Sequence, residues 1–132
     1  MKARVIIEKN EHGYGAFIEN LKSTIIGEGQ TVEEAKKDLL NSLDEVRHYY
    51  AEAGRKSPDN LDHLELEYKY DISAFFNAFD FLNASKFAKR IGISPSLMRH
   101  YKGGNTYISP AQAKKIEKGL HQIGNELLSV NL

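Results

Sequence analysis

Between Asn83 and Pro110 the chain stops and restarts helices at short intervals, and this punctuation constrains its fold more than any other feature. Asn83 can cap a helix over Ala84 to Ile91, and Gly92 can end it. Ser94-Pro95 starts a second helix. The serine caps, and the proline takes the first helical position, where no backbone N–H is needed. Gly103-Gly104-Asn105 breaks the chain again, and Ser109-Pro110-Ala111-Gln112 opens a third helix in capping-box form. Ile116, Leu120, Ile123 and Leu127 line one face of that last helix.

The segment Ala84 to Gly103 meets the needs of a helix-turn-helix. Two short helices joined by a turn of about three residues need a glycine that accepts positive φ, a small residue for close approach, and apolar residues that knit the pair. Gly92 is that glycine and Ala88 that small residue, while Phe87, Ile91, Ile93, Met98 and Tyr101 are the knitting set. An ordinary helical hairpin, with Gly92 as a plain C-cap, is the competing reading. In a DNA-binding unit the second helix enters the major groove and the first crosses the backbone. Arg99 could then contact guanine through two hydrogen bonds. Ser96 and Lys102 suit phosphate, which positions a protein without specifying sequence. The candidate DNA-binding residues are Ser94, Ser96, Arg99, His100 and Lys102 in or before the second helix. Lys86, Lys89 and Arg90 on the first helix join them, with Asn105 and Tyr107 just beyond.

Charge supports the same division. The chain has 18 Lys+Arg and 18 Asp+Glu, a formal net charge of zero. Residues 1–70 hold 10 basic and 14 acidic side chains, a net of −4, and residues 71–132 hold 8 and 4, a net of +4. All eight basic residues of the second half lie between Lys86 and Lys118. An acidic half and a basic stretch suit two different partners, one of them a polyanion. A solvated helical surface would look similar.

The first half changes period. Lys2 to Glu8 alternates, with Val5 and Ile7 on one face, as a strand does. Asn10-Glu11-His12-Gly13 is a turn, and Tyr14 to Ile18 reads as the returning strand. Ser23 to Ile26 is a short third strand, closed by Gly27 and Gly29. Thr31 and Glu34 form a capping box, the Thr31 hydroxyl taking the Glu34 N–H and the Glu34 carboxylate returning to the Thr31 N–H. Val32, Ala35, Leu39, Leu43, Val46 and Tyr50 follow at helical spacing, and Gly54 can end the helix. Leu64, Leu66, Tyr68 and Tyr70 alternate with charged residues as a half-buried strand. The expected fold class is α+β: a βββαβ domain over residues 1–70, then an all-α helix-turn-helix domain over residues 71–132. Ile72, Phe75, Phe76, Phe79 and Leu82 make an apolar stripe, read as core of the second domain in preference to a dimer seam.

On these residues the chain resembles the HicB family of bacterial antitoxins. The likeness lies in His12-Gly13-Tyr14-Gly15-Ala16, in Leu21, and in Gly27-Glu28-Gly29-Gln30-Thr31-Val32-Glu33-Glu34-Ala35, with the second half similar to the family's helix-turn-helix variant. The resemblance implies a partial ribonuclease-H-like first domain without an intact nuclease site. It implies an antitoxin that covers a small RNA-cleaving toxin and represses its own operon, usually as an oligomer. One stretch departs from the pattern: Glu19-Asn20-Leu21-Lys22-Ser23-Thr24 stands where the family has a proline- and cysteine-bearing segment.

Other chemistries find less support. Glu8, Glu19, Glu28, Asp62, Glu65 and Glu67 are the carboxylates a metal-dependent nuclease would draw on, but alternating glutamates on a strand usually form its solvated face. His12, His48, His63, His100 and His121 lack metal-ligand spacing. No cysteine is present. Neither enzyme activity, cofactor nor metal is expected. No apolar run approaches the ~20 residues of a membrane span, and Met1-Lys2-Ala3-Arg4 leads into charged alternation, so the cytoplasm is expected. The functional expectation is an antitoxin and repressor acting as a homodimer or higher oligomer, because one short helix-turn-helix reads few bases. A solitary DNA-binding regulator is the alternative, and a nuclease the weaker one.

Overall fold

A computed structural model describes residues 2–132. The fold is α+β, with a mixed four-stranded sheet followed by a run of four helices. The chain divides into two compact units between Ala78 and Phe79.

The first unit begins with β1 (Lys2–Asn10), which turns through Glu11 and His12 into β2 (Gly13–Ile18). The Asn10 side chain braces this turn by accepting the His12 N–H at 3.0 Å. β1 and β2 are antiparallel, with Val5 opposite Ile18 and Ile7 opposite Ala16. Ala3, Val5 and Ile7 are buried with Tyr14, Ala16 and Ile18, so the alternation in the sequence is the alternation of faces.

The third strand differs from the expected Ser23 to Ile26. β3 is Ile26–Gly29, pairing Phe17 with Ile26 and Gly15 with Glu28. Gly27 lies inside the strand instead of closing it, and Gly29 is its last residue. At Gly27 a Cβ would run into the Leu39 backbone N–H and sit 2.6 Å from the Ala35 carbonyl oxygen. β3 therefore lies directly beneath α1 (Val32–Glu52), and only a residue without a side chain fits there.

Thr31 caps α1, its hydroxyl accepting the Glu34 N–H at 3.1 Å. The return bond of the expected capping box is shifted: the Glu34 carboxylate takes the Gln30 N–H at 2.7 Å, one residue earlier than Thr31. Val32, Ala35, Leu39 and Leu43 are buried against the sheet, whereas Val46 and Tyr50 are half-buried. After a short 3₁₀ turn, Leu61–His63, the chain enters β4 (Glu65–Tyr70). β4 pairs parallel with β1, giving the order β3-β2-β1-β4. A parallel pair needs a crossover, and α1 supplies it.

Two side chains tie down the segment between β2 and β3. Asn20 takes the Arg4 N–H at 2.7 Å and donates to the Lys2 carbonyl at 2.9 Å, continuing the sheet past the end of β2. The Asp59 carboxylate accepts the N–H groups of Lys22 at 3.0 Å and Ser23 at 2.9 Å. Partial desolvation raises the Asp59 pKa, but these N–H bonds and the Lys22 charge outweigh it, so the net shift is downward.

The boundary between units lies later than the expected 70/71. α2 (Ile72–Ala78) belongs with the sheet. The Asp71 N–H reaches the Ile7 carbonyl at 2.9 Å, the Asp71 carboxylate caps α2 through the Ala74 N–H at 2.6 Å, and Ala74 is fully buried in the first core. Phe75 meets the Tyr70 ring edge to face at 6.5 Å. Of the apolar stripe, Phe75 thus meets a ring of the first unit, Phe76 is buried, and Phe79 lies at the exposed end, next to Phe81.

The second unit holds α3 (Ala84–Ile91), α4 (Pro95–Gly103) and α5 (Pro110–Leu128). The expected caps are present: Asn83 accepts the Lys86 N–H at 2.9 Å, Ser94 that of Leu97 at 3.4 Å, and Ser109 that of Gln112 at 3.2 Å. Gly92 ends α3 at φ +78°, a left-handed conformation that costs a residue with a Cβ about 1–2 kcal/mol. Phe87, Ala88, Ile93, Met98, Tyr101 and Ile116 are buried, and Ile91 is half-buried. On the apolar face of α5 Ile116 is buried, Leu120 and Ile123 are half-buried, and Leu127 is exposed. No helix among the described residues is long and apolar enough to cross a membrane.

Candidate nucleic-acid interface

Helical spacing fixes which side chains α3 and α4 turn outward. On α4, Met98 and Tyr101 are buried, so Ser96, Arg99, His100 and Gly103 form the opposite, exposed face at i, i+3, i+4 and i+7. Lys102 is exposed on the flank of that face. On α3, Phe87 and Ala88 face inward, and Lys86, Lys89 and Arg90 share the outward side. From residue 81 to residue 116 the sequence contains no Asp or Glu. α3 and α4 therefore carry basic side chains and no acid of their own.

The candidate residues do not all keep the expected part. Lys86, Lys89, Ser96, Arg99, His100 and Lys102 are exposed on α3 and α4. Ser94 is exposed, but its hydroxyl oxygen serves as the α4 cap. Asn105 and Tyr107 lie exposed in the loop before α5, Tyr107 at 81%. Arg90 is engaged elsewhere: its guanidinium is paired with the Glu126 carboxylate of α5.

That pair is part of a seam between α3 and α5 which the sequence reading missed. Lys115 donates to the Gly92 carbonyl at 3.2 Å, where α3 ends. Gly119 is buried, and a Cβ there would strike the Ile91 side chain and lie 3.5 Å from the Phe87 ring. Lys115, Gly119 and Glu126 lie on one side of α5, so one helix face carries a cap, a close packing point and an ion pair. The signal was Gly119 itself. A glycine in a helix interior costs about 1 kcal/mol against alanine, so its presence points to a packing reason.

The carboxylates weighed for a nuclease sit in a different setting. In the parallel register Glu65 lies beside Lys2 and Glu67 beside Arg4, while Glu8 is opposite Gly15. Arg4 also pairs with Glu19 at 3.8 Å. The arrangement suits cross-strand charge pairing on a solvated face. Among the described residues no three His, Cys, Asp or Glu side chains gather as a metal site would require. His12, His48, His63, His100 and His121 are all exposed.

No protein-family model matches the chain, and comparison with curated proteins and with solved structures gives no match either.

Proposed function

We propose that the chain is an antitoxin of the HicB kind. Its second unit binds the operator of its own operon as an oligomer, and its first unit covers a small RNA-cleaving toxin protein. The observation that carries the DNA-binding half is the exposed face of α4. Ser96, Arg99 and His100 lie together there, flanked by Lys102, with Lys86 and Lys89 on the helix before it and no acid from 81 to 116. Arg99 reads a base, and the lysines hold phosphates.

The experiment is a gel-retardation titration on the duplex immediately upstream of the chain's own reading frame. Arg99→Ala weakens binding by about tenfold or more and narrows the gap between that duplex and an unrelated one. Counterion release makes low salt the sensitive condition, so absence of retardation by the unaltered protein there ends the reading.

Support for the toxin-binding half is the run from His12 to Ala35 that resembles the family's pattern, together with the acidic excess of the first unit. Co-expression with the product of the adjacent reading frame, followed by sizing chromatography, is the test. Joint elution supports the antitoxin. Separate elution leaves a solitary regulator, a reading favoured by one observation: the segment that departs from the family pattern is bound internally, through Asn20, Lys22 and Ser23.

A further inference from the structure

Three cations share the outward side of α3, but they are not equivalent. Lys86 and Lys89 have no acid on α3 or α4 to meet. Arg90, one residue further on, is held by Glu126 from α5. From Phe79 onward there are three acids, Asp80, Glu117 and Glu126, against eight basic residues. Among the described residues, the Arg90–Glu126 bridge is the one ion pair in this unit.

We infer that Glu126 is an affinity-limiting residue: by holding Arg90 it withdraws one cation from the phosphate-binding set of α3. The inference rests on the DNA-binding reading. A guanidinium bound to a carboxylate is already neutralised, so a phosphate gains little from meeting it and releases no additional counterion. Freed from Glu126, Arg90 stands at i+4 from Lys86 and extends the same cationic edge. The pair is poorly placed to serve chiefly as a stabiliser. Its side chains are 53% and 59% exposed, and exposed ion pairs contribute little to folding. The packing of α5 on α3 is secured separately by Gly119 under Ile91 and Phe87 and by Lys115 at Gly92. The bridge therefore has a larger consequence for the charge presented to DNA than for the fold. It leaves the unit with one fewer sequence-independent contact, which lowers its affinity for its specific site and for other DNA alike.

The test is a double-variant cycle on the full chain, using fluorescence anisotropy with a duplex of arbitrary sequence and with the upstream duplex, across a salt series. Glu126→Gln is expected to tighten binding to both duplexes about three- to tenfold at low salt and to steepen the salt dependence by about one phosphate contact. In the Arg90→Ala background the same substitution is expected to do neither. Circular dichroism of each variant checks that the helices are retained. Two results overturn the inference while leaving the DNA-binding reading intact: an unchanged affinity in Glu126→Gln, or an equal gain with Arg90 absent, which would make Glu126 a general repulsive charge. Failure of the unaltered protein to bind either duplex at low salt overturns the DNA-binding reading and the inference with it.

Discussion

In the first unit β1 pairs with β4 across the whole of α1, whereas in the second unit α3 packs on α4, the helix that follows it after three residues. The two regions also use glycine in opposite ways. Gly27 lies within a strand, where the backbone of α1 leaves no room for a side chain. Gly92 lies at a helix end, where the nearest neighbour to an added Cβ would be the Lys115 Nζ at 3.6 Å and only the positive φ is demanding. One glycine answers to a partner distant in sequence, the other to its own backbone. Long-range packing tolerates change less well than local conformation because neither the strand nor the helix can yield without disturbing the whole core.

Breaking each region at its glycine is the most direct trial of this contrast. Gly27→Ala is expected to have the largest effect, about 3 kcal/mol or more, at the upper end of core overpacking. Urea unfolding followed by circular dichroism measures it. A cost comparable to that of a surface substitution would show that α1 can lift off β3, and the contrast would fail. Gly92→Ala is expected to cost about 1 kcal/mol by the same measurement, since strain without collision is involved. Gly92→Asn should recover part of that loss, because asparagine tolerates the left-handed conformation better.

Asp59→Asn is expected to have the smallest effect and a distinct pH dependence. The folded-state pKa of Asp59 is lowered, so its stabilising contribution is complete above the unfolded value and is lost as pH falls through the folded one. Asp59→Asn should be slightly less stable than the unaltered protein at neutral pH. The gap should close as pH falls below about 4. Urea midpoints over a pH series measure this, and a gap that is constant with pH would remove the carboxylate as its source.

Legibility in the sequence followed the same line. The caps Thr31, Asn83, Ser94 and Ser109, and the end of α3 at Gly92, were read from local chemistry and lie where they were expected. The inward faces of β1 and α1 were legible because period alone assigns a face. The third strand lies later than expected because Gly27, in the role of a breaker by local signs, sits within it, and nothing local says that a helix covers it. α2 was assigned to the wrong unit because its aromatic stripe gives no direction; Ala74, the residue fully buried in the first core, is an unremarkable alanine in the sequence. Arg90 looked equivalent to Lys86 and Lys89 until α5 placed Glu126 beside it.

Ala84 to Gly103 shows where the two sources of information part. By itself the sequence determined two short helices, the glycine between them and the side of each that turns inward. Caps, backbone preferences and helical spacing act over a few residues, and no other part of the chain overrules them here. Tertiary structure alone decided which of the outward cations stay unneutralised. That depends on where α5 sets down Glu126, thirty-six residues beyond Arg90, and no local preference carries information over that span.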